Sequence, residues 1–166
     1  MFDYAAAYSE LHKNEKYFAN RGVYADQIAE LVKRHEPKSM LDYGSGKGYQ
    51  YLASRIHEKW GGLLPVCYDV GVRQLAKKPE GKFDAVICTD MLEHIEEADL
   101  PEILADIFGY ASTFVFLAIS TVPARKKVLP DGRNVHLTVK PEAWWLELIK
   151  PYERDLTVKV VFDERG

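Results

Sequence analysis

Leu41-Asp42-Tyr43-Gly44-Ser45-Gly46-Lys47-Gly48 carries a short apolar strand straight into a turn with glycine at every second position. Residues without a Cβ let the backbone approach a ligand closely, and a helix start just beyond would offer unpaired N–H groups. The spacing therefore places a cofactor at Gly44, Ser45 and Gly46. Two common cofactors fail the pattern. A dinucleotide fingerprint needs a small residue where Tyr49 stands, and a phosphate-binding P-loop needs Ser or Thr where Gly48 stands.

Working outward, Ile28, Leu31 and Val32 share one helical face, and Pro37 ends that helix. The first strand spans residues 39–43, and the helix after the glycine turn carries Leu52 and Ile56 as far as Gly61-Gly62. Residues 63–69 read as a second strand ending in a carboxylate, and residues 84–90 as a third, both fully buried. A helix opening near Pro101 buries Ile103, Leu104, Ile107 and Phe108, and residues 113–119 form the fourth strand. The loop 123–140 turns at Pro130-Asp131-Gly132 and is long enough to border a site. Pro141 opens a last helix with Trp145, Leu148 and Ile149 on one face. Leu156, Val158, Val160 and Phe162 alternate as a closing strand. Strands alternating with helices define an α/β chain.

At 166 residues the chain fits one domain, with residues 1–36 as an N-terminal helical cap and 37–166 as the α/β core. A net charge of -3 argues against an overall basic surface for nucleic acid. The longest apolar run, 113–122, is too short to span a bilayer, and the N-terminus lacks the pattern of a secretory signal. The expected compartment is the cytoplasm, with Cys67 and Cys88 as reduced core residues. Asp69, at the end of the second strand, suits the two hydroxyls of a ribose.

The glycine stretch, Asp69, Phe83-Asp84-Ala85-Val86-Ile87 and Asp90-Met91-Leu92-Glu93-His94-Ile95 together resemble the class I S-adenosylmethionine-dependent methyltransferases over about residues 36–150. The resemblance implies a single three-layer Rossmann-like domain with a mostly parallel sheet. It also implies that Asp42 and the loop Gly44, Ser45 and Gly46 hold the methionine end of the cofactor. Asp69 would hold its ribose, and Asp90 and Met91 the side facing adenine and acceptor. The chain departs from the pattern. Only residues 70–83 separate Asp69 from Asp84, where the family has a further strand and helix, and one closing strand replaces the usual antiparallel pair. A sheet reduced by one strand is expected, and a homodimer could complete it.

Asp90, Glu93 and His94, at i, i+3 and i+4, would share one side of a helical turn. With His136 they are similar to the metal site of certain O-methyltransferases, which implies magnesium or manganese on Asp90, Glu93, His94 and His136. Such an ion would lower the pKa of an acceptor hydroxyl. Without a metal, His94 and Glu93 serve as the catalytic pair, His94 as general base. Salt-bridged or capping roles for these residues stand beside both readings. Tyr4, Tyr8, His12 and Tyr17 either cover the cofactor or only pack. The expected activity is methylation of a small-molecule acceptor, at oxygen. Arg125, Lys126, Lys127 and Arg133 leave an RNA 3′-end acceptor as an alternative. A non-catalytic binding protein is the third reading.

Overall fold

The computed structural model describes residues 2–13, 22–125 and 128–164. Tyr17, Lys126 and Lys127, named above, lie outside them. Five strands form one sheet in the order β2-β1-β3-β4-β5: β1 (Met40–Tyr43), β2 (Val66–Tyr68), β3 (Phe83–Thr89), β4 (Ala111–Ser120) and β5 (Thr157–Asp163). Every neighbouring pair is parallel, so all five carboxyl ends lie at one edge. The expected sheet, short of a strand, is present. Its last strand pairs with β4 in one unbroken register from Phe114↔Thr157 to Ser120↔Asp163.

Helices cover both faces. On one, α4 (Leu100–Tyr110) and α5 (Glu142–Ile149) bury Leu104, Ile107, Trp145 and Ile149 against Val86, Val115 and Leu117. On the other, α2 (Ala25–His35) buries Ile28 and Leu31 with Trp60, against Met40, Ile87 and Phe116. Helix α2 stops where expected: Glu36 turns left-handed and Pro37 bars continuation. Its last turn holds Lys33, Arg34 and His35, matched to the negative end of the helix. The first helix, α1 (Tyr4–His12), starts on an Asp3 cap that accepts from Ala6 N at 2.9 Å. None of the described helices is long and apolar enough to cross a membrane.

Three expectations need correction. The helix after the glycine turn is α3 (Tyr49–Leu52) alone; Arg55 then turns left-handed and a 3-10 turn runs from Ile56 to Trp60. Leu52 is 77% exposed rather than buried. The break lets Trp60 reach α2, where its indole N–H donates to Ala25 O at 2.9 Å. Strand β2 is short and partly exposed because no strand among the described residues pairs on its outer side, and Pro65 precedes it. Ile103 is only partly buried, because it lines a cavity as well as packing against the core. Cys67 and Cys88, on the two strands flanking β1, are free thiols.

Candidate functional site

A cavity of about 1330 Å³ opens at the carboxyl edge of the sheet, where open parallel sheets bind ligands. The glycine turn forms its floor: Gly44 N and Ser45 N donate to Tyr68 O at 2.8 and 3.1 Å, which ties the loop to the end of β2. Gly44 has φ +80, and a Cβ there would fall 2.4 Å from Met91 Cγ, so no other residue fits. Gly44, Ser45, Gly46, Asp69, Asp90 and Met91, all assigned to the cofactor by the sequence, line this one cavity.

Asp69 organises the loop: its Oδ2 accepts from Gly46 N and its Oδ1 from Gly71 N, both at 2.8 Å. His12 Nε2 stands 3.8 Å from Oδ1. Burial depresses the pKa of His12 and the charge of Asp69 opposes that shift.

Asp42 does not line the cavity. It is buried beneath the turn, where Oδ2 accepts from Tyr51 OH at 2.6 Å and Gln50 Nε2 at 3.2 Å. Oδ1 has no partner among the described residues. Its part is to anchor α3 and the turn from below. Burial pushes its pKa up to about 7, against the lowering effect of Tyr51 and Gln50. A carboxyl with a raised folded pKa binds more protons in the native state, so its stability contribution is lost as pH rises through that range. Asp42→Asn is expected to flatten the fall in stability between about pH 5 and 8, by at most ~3 kcal/mol. Urea unfolding at both pH values checks this; parallel curves for the two proteins contradict it.

Glu93, His94 and His136 converge, with one donor atom from each within 4.8 Å of the others. Glu93 and His94 sit on a 3-10 turn (Leu92–His94), and His136 comes from the long loop. That loop is tied down by Thr138, which donates to Glu93 O at 3.0 Å through its N–H and to Ile95 O at 2.7 Å through its hydroxyl. Nδ1 of His94 lies 2.8 Å from Val135 O, and Nδ1 of His136 lies 2.7 Å from Val122 O. A carbonyl only accepts, so each Nδ1 carries a proton, and in the neutral imidazole each Nε2 keeps its lone pair. Glu93 is fully buried. Its Oε1 accepts from Ser120 N at 3.2 Å, and Oε2 has no partner among the described residues. Burial first, and then Asp90, hold its pKa well above the ordinary carboxylate value.

Asp90 stands outside this group, contrary to the sequence expectation. It takes a left-handed conformation (φ 52) before the 3-10 turn, which destroys the i, i+3, i+4 alignment. Its Oδ1 accepts from Tyr24 OH at 3.1 Å, and the same hydroxyl lies 3.2 Å from Asp163 Oδ2. Tyr24, Ser120 and Asp163 were not found from sequence. Asp163 carried one signal: like Asp69 and Asp90, it is an acid at the carboxyl end of a strand. Tyr4, Tyr8 and His12 of α1 line the cavity from above. Of the basic loop, Arg133 is spent on Glu96 and Asp131, each at 2.8 Å.

A parallel open sheet with a glycine turn after β1 and an acid after β2 defines a nucleoside-binding α/β fold. A family model, described as a methyltransferase domain, matches residues 15–156. The chain therefore belongs to that methyltransferase-domain family. The fold is similar to that of an O-methyltransferase family protein from Burkholderia thailandensis (14% identity, TM-score 0.51), covering 83% of this chain and 55% of that one. It is also similar to the 1,6-didemethyltoxoflavin-N1-methyltransferase of Burkholderia thailandensis, with bound 1,6-didemethyltoxoflavin and S-adenosylhomocysteine. That match has 15% identity and a TM-score of 0.59, and covers 87% of this chain and 73% of that one. At these identities the likeness speaks for the fold alone. No curated protein sequence matches the chain.

Proposed function

We propose that the protein transfers the methyl group of S-adenosylmethionine to an oxygen of a small acceptor. The observation that carries this reading is the convergence of Glu93, His94 and His136 in the same cavity as Gly44, Gly46 and Asp69. Asp69 would take the ribose hydroxyls and the glycine turn the methionine end, leaving the sulfonium methyl to face the three-residue group. The acceptor oxygen attacks in line: the carbon–oxygen bond forms, the carbon–sulfur bond breaks, and its electron pair stays on sulfur. Without a bound ion, the hydroxyl proton passes to His94 Nε2, whose lone pair is set by the Nδ1 contact to Val135 O. The cavity exceeds the ~300–1,000 Å³ of an ordinary ligand pocket, which suits two ligands side by side.

The group also fits a divalent ion. Glu93 Oε2 is buried without a partner among the described residues, and both imidazoles are oriented by backbone carbonyls, the usual outer support of histidine ligands. Glu93, His94 and His136 would hold magnesium or manganese, with Asp90 outside the set. Such an ion supplies a Lewis acid that acidifies a bound hydroxyl.

Of the two similar structures, one is described as an O-methyltransferase family protein and the other as an N1-methyltransferase with bound 1,6-didemethyltoxoflavin, so the acceptor screen spans both elements. Purified protein is incubated with methyl-labelled S-adenosylmethionine and hydroxylated or amine-bearing small molecules or RNA 3′ ends, with and without manganese. Label on a small hydroxylated product, raised by manganese, supports the reading. Label on RNA or nitrogen alone replaces the acceptor, and no transfer to any acceptor leaves a binding protein.

A further inference from the structure

Helix α1 reaches the same imidazole from above. Tyr8 OH lies 3.0 Å from the carbonyl oxygen of His94 and 3.1 Å from that of Val135. The second of these is the carbonyl that fixes His94 Nδ1 at 2.8 Å. One hydroxyl therefore contacts both the residue that carries the imidazole and the acceptor that sets its tautomer. The phenol ring stands edge-on to the imidazole, with centroids 5.5 Å apart and planes at 83°. Tyr8 is itself locked. It is 8% exposed and packs with Ala124, Leu129 and Val135, and burial holds the phenol in its protonated form. Gly71 lets the helix come this close, since a Cβ there would fall 2.9 Å from Tyr8 Cβ. Tyr4 is held separately, donating to Asp99 Oδ2 at 2.6 Å and accepting from Glu96 N at 2.9 Å.

We propose that Tyr8 is a positioning residue: by contacting the carbonyls of both His94 and Val135, its hydroxyl holds the His94 imidazole in the Nδ1–H tautomer, with Nε2 turned to the acceptor. Its importance for turnover rests on the proposed role of His94, whereas its effect on the imidazole does not. Loss of an outer-shell hydrogen bond of this kind costs on the order of 10–100-fold in activity or metal affinity.

The test reads the tautomer directly. Side-chain nitrogen spectra of 15N-histidine-labelled protein are recorded for the wild type, Tyr8→Phe and Tyr4→Phe, with His94→Ala identifying the resonance. The wild type and Tyr4→Phe are expected to show the Nδ1–H form, and Tyr8→Phe a mixture with the Nε2–H form. Turnover of Tyr8→Phe should fall about tenfold, with KM for S-adenosylmethionine changed less than about twofold. An unchanged tautomer in Tyr8→Phe overturns the proposal. So does the same loss in Tyr4→Phe, which would mean that docking of α1 matters and the Tyr8 hydroxyl does not. If His94→Ala keeps full activity while Tyr8→Phe still shifts the tautomer, the proposed chemistry falls and the positioning stands.

Discussion

Asp69→Ala is expected to weaken S-adenosylhomocysteine binding by at least about 100-fold. Each hydrogen bond from a ribose hydroxyl to a carboxylate contributes roughly 1.5–3 kcal/mol, so losing two removes about 3–6 kcal/mol. The substitution also frees Gly46 N and Gly71 N, which Asp69 holds at 2.8 Å each, and so loosens the turn that faces the methionine end. The carboxylate can keep those amides while accepting the hydroxyls, because its two oxygens offer about four lone-pair sites. Asp69→Asn separates the two effects, since it retains one acceptor oxygen and loses the charge. Calorimetric titration of each variant, with circular dichroism to confirm folding, is the measurement. A change below about threefold in Asp69→Ala would remove Asp69 from the cofactor site.

The second large effect falls on His94. His94→Ala should lower turnover by about 10²–10⁴-fold, the usual contribution of a positioned proton acceptor, while S-adenosylhomocysteine affinity stays within about threefold. The separation follows from the architecture: the glycine turn and Asp69 are tied to the end of β2, whereas His94 is held by Val135 O on a different loop. An equal loss of affinity and turnover would mean that His94 only supports the cavity wall. Unchanged turnover would remove it from the reaction.

These residues were not equally legible. The strands were, because β1, β3 and β4 are buried apolar runs, β5 alternates, and several strands end on an acid; Asp69, Asp90 and Asp163 meet at one edge because all five strands run parallel. The glycine turn was legible for a local reason, since its left-handed positions admit few other residues. What escaped depends on tertiary contact. The break after α3 follows from Trp60 docking on α2, which no periodicity within residues 49–60 encodes. Asp90 has the right spacing for a helical turn, yet its left-handed backbone turns it toward Tyr24 and Asp163. The resemblance implies a cofactor role for Asp42, and the strand position it occupies buries its side chain under the glycine turn. The hydroxyl of Tyr8 is invisible in a pattern that explains an aromatic helix face by packing alone.

The most direct test of cofactor-dependent methyl transfer is titration of the wild-type protein with S-adenosylhomocysteine, the product that any such reaction must release. One site per chain with a dissociation constant of about 1–100 μM is expected, a range ordinary for enzyme ligands. No heat and no thermal stabilisation at about 1 mM would contradict it, and would leave the glycine turn, Asp69 and the Glu93–His94–His136 group as parts of a site for a different ligand.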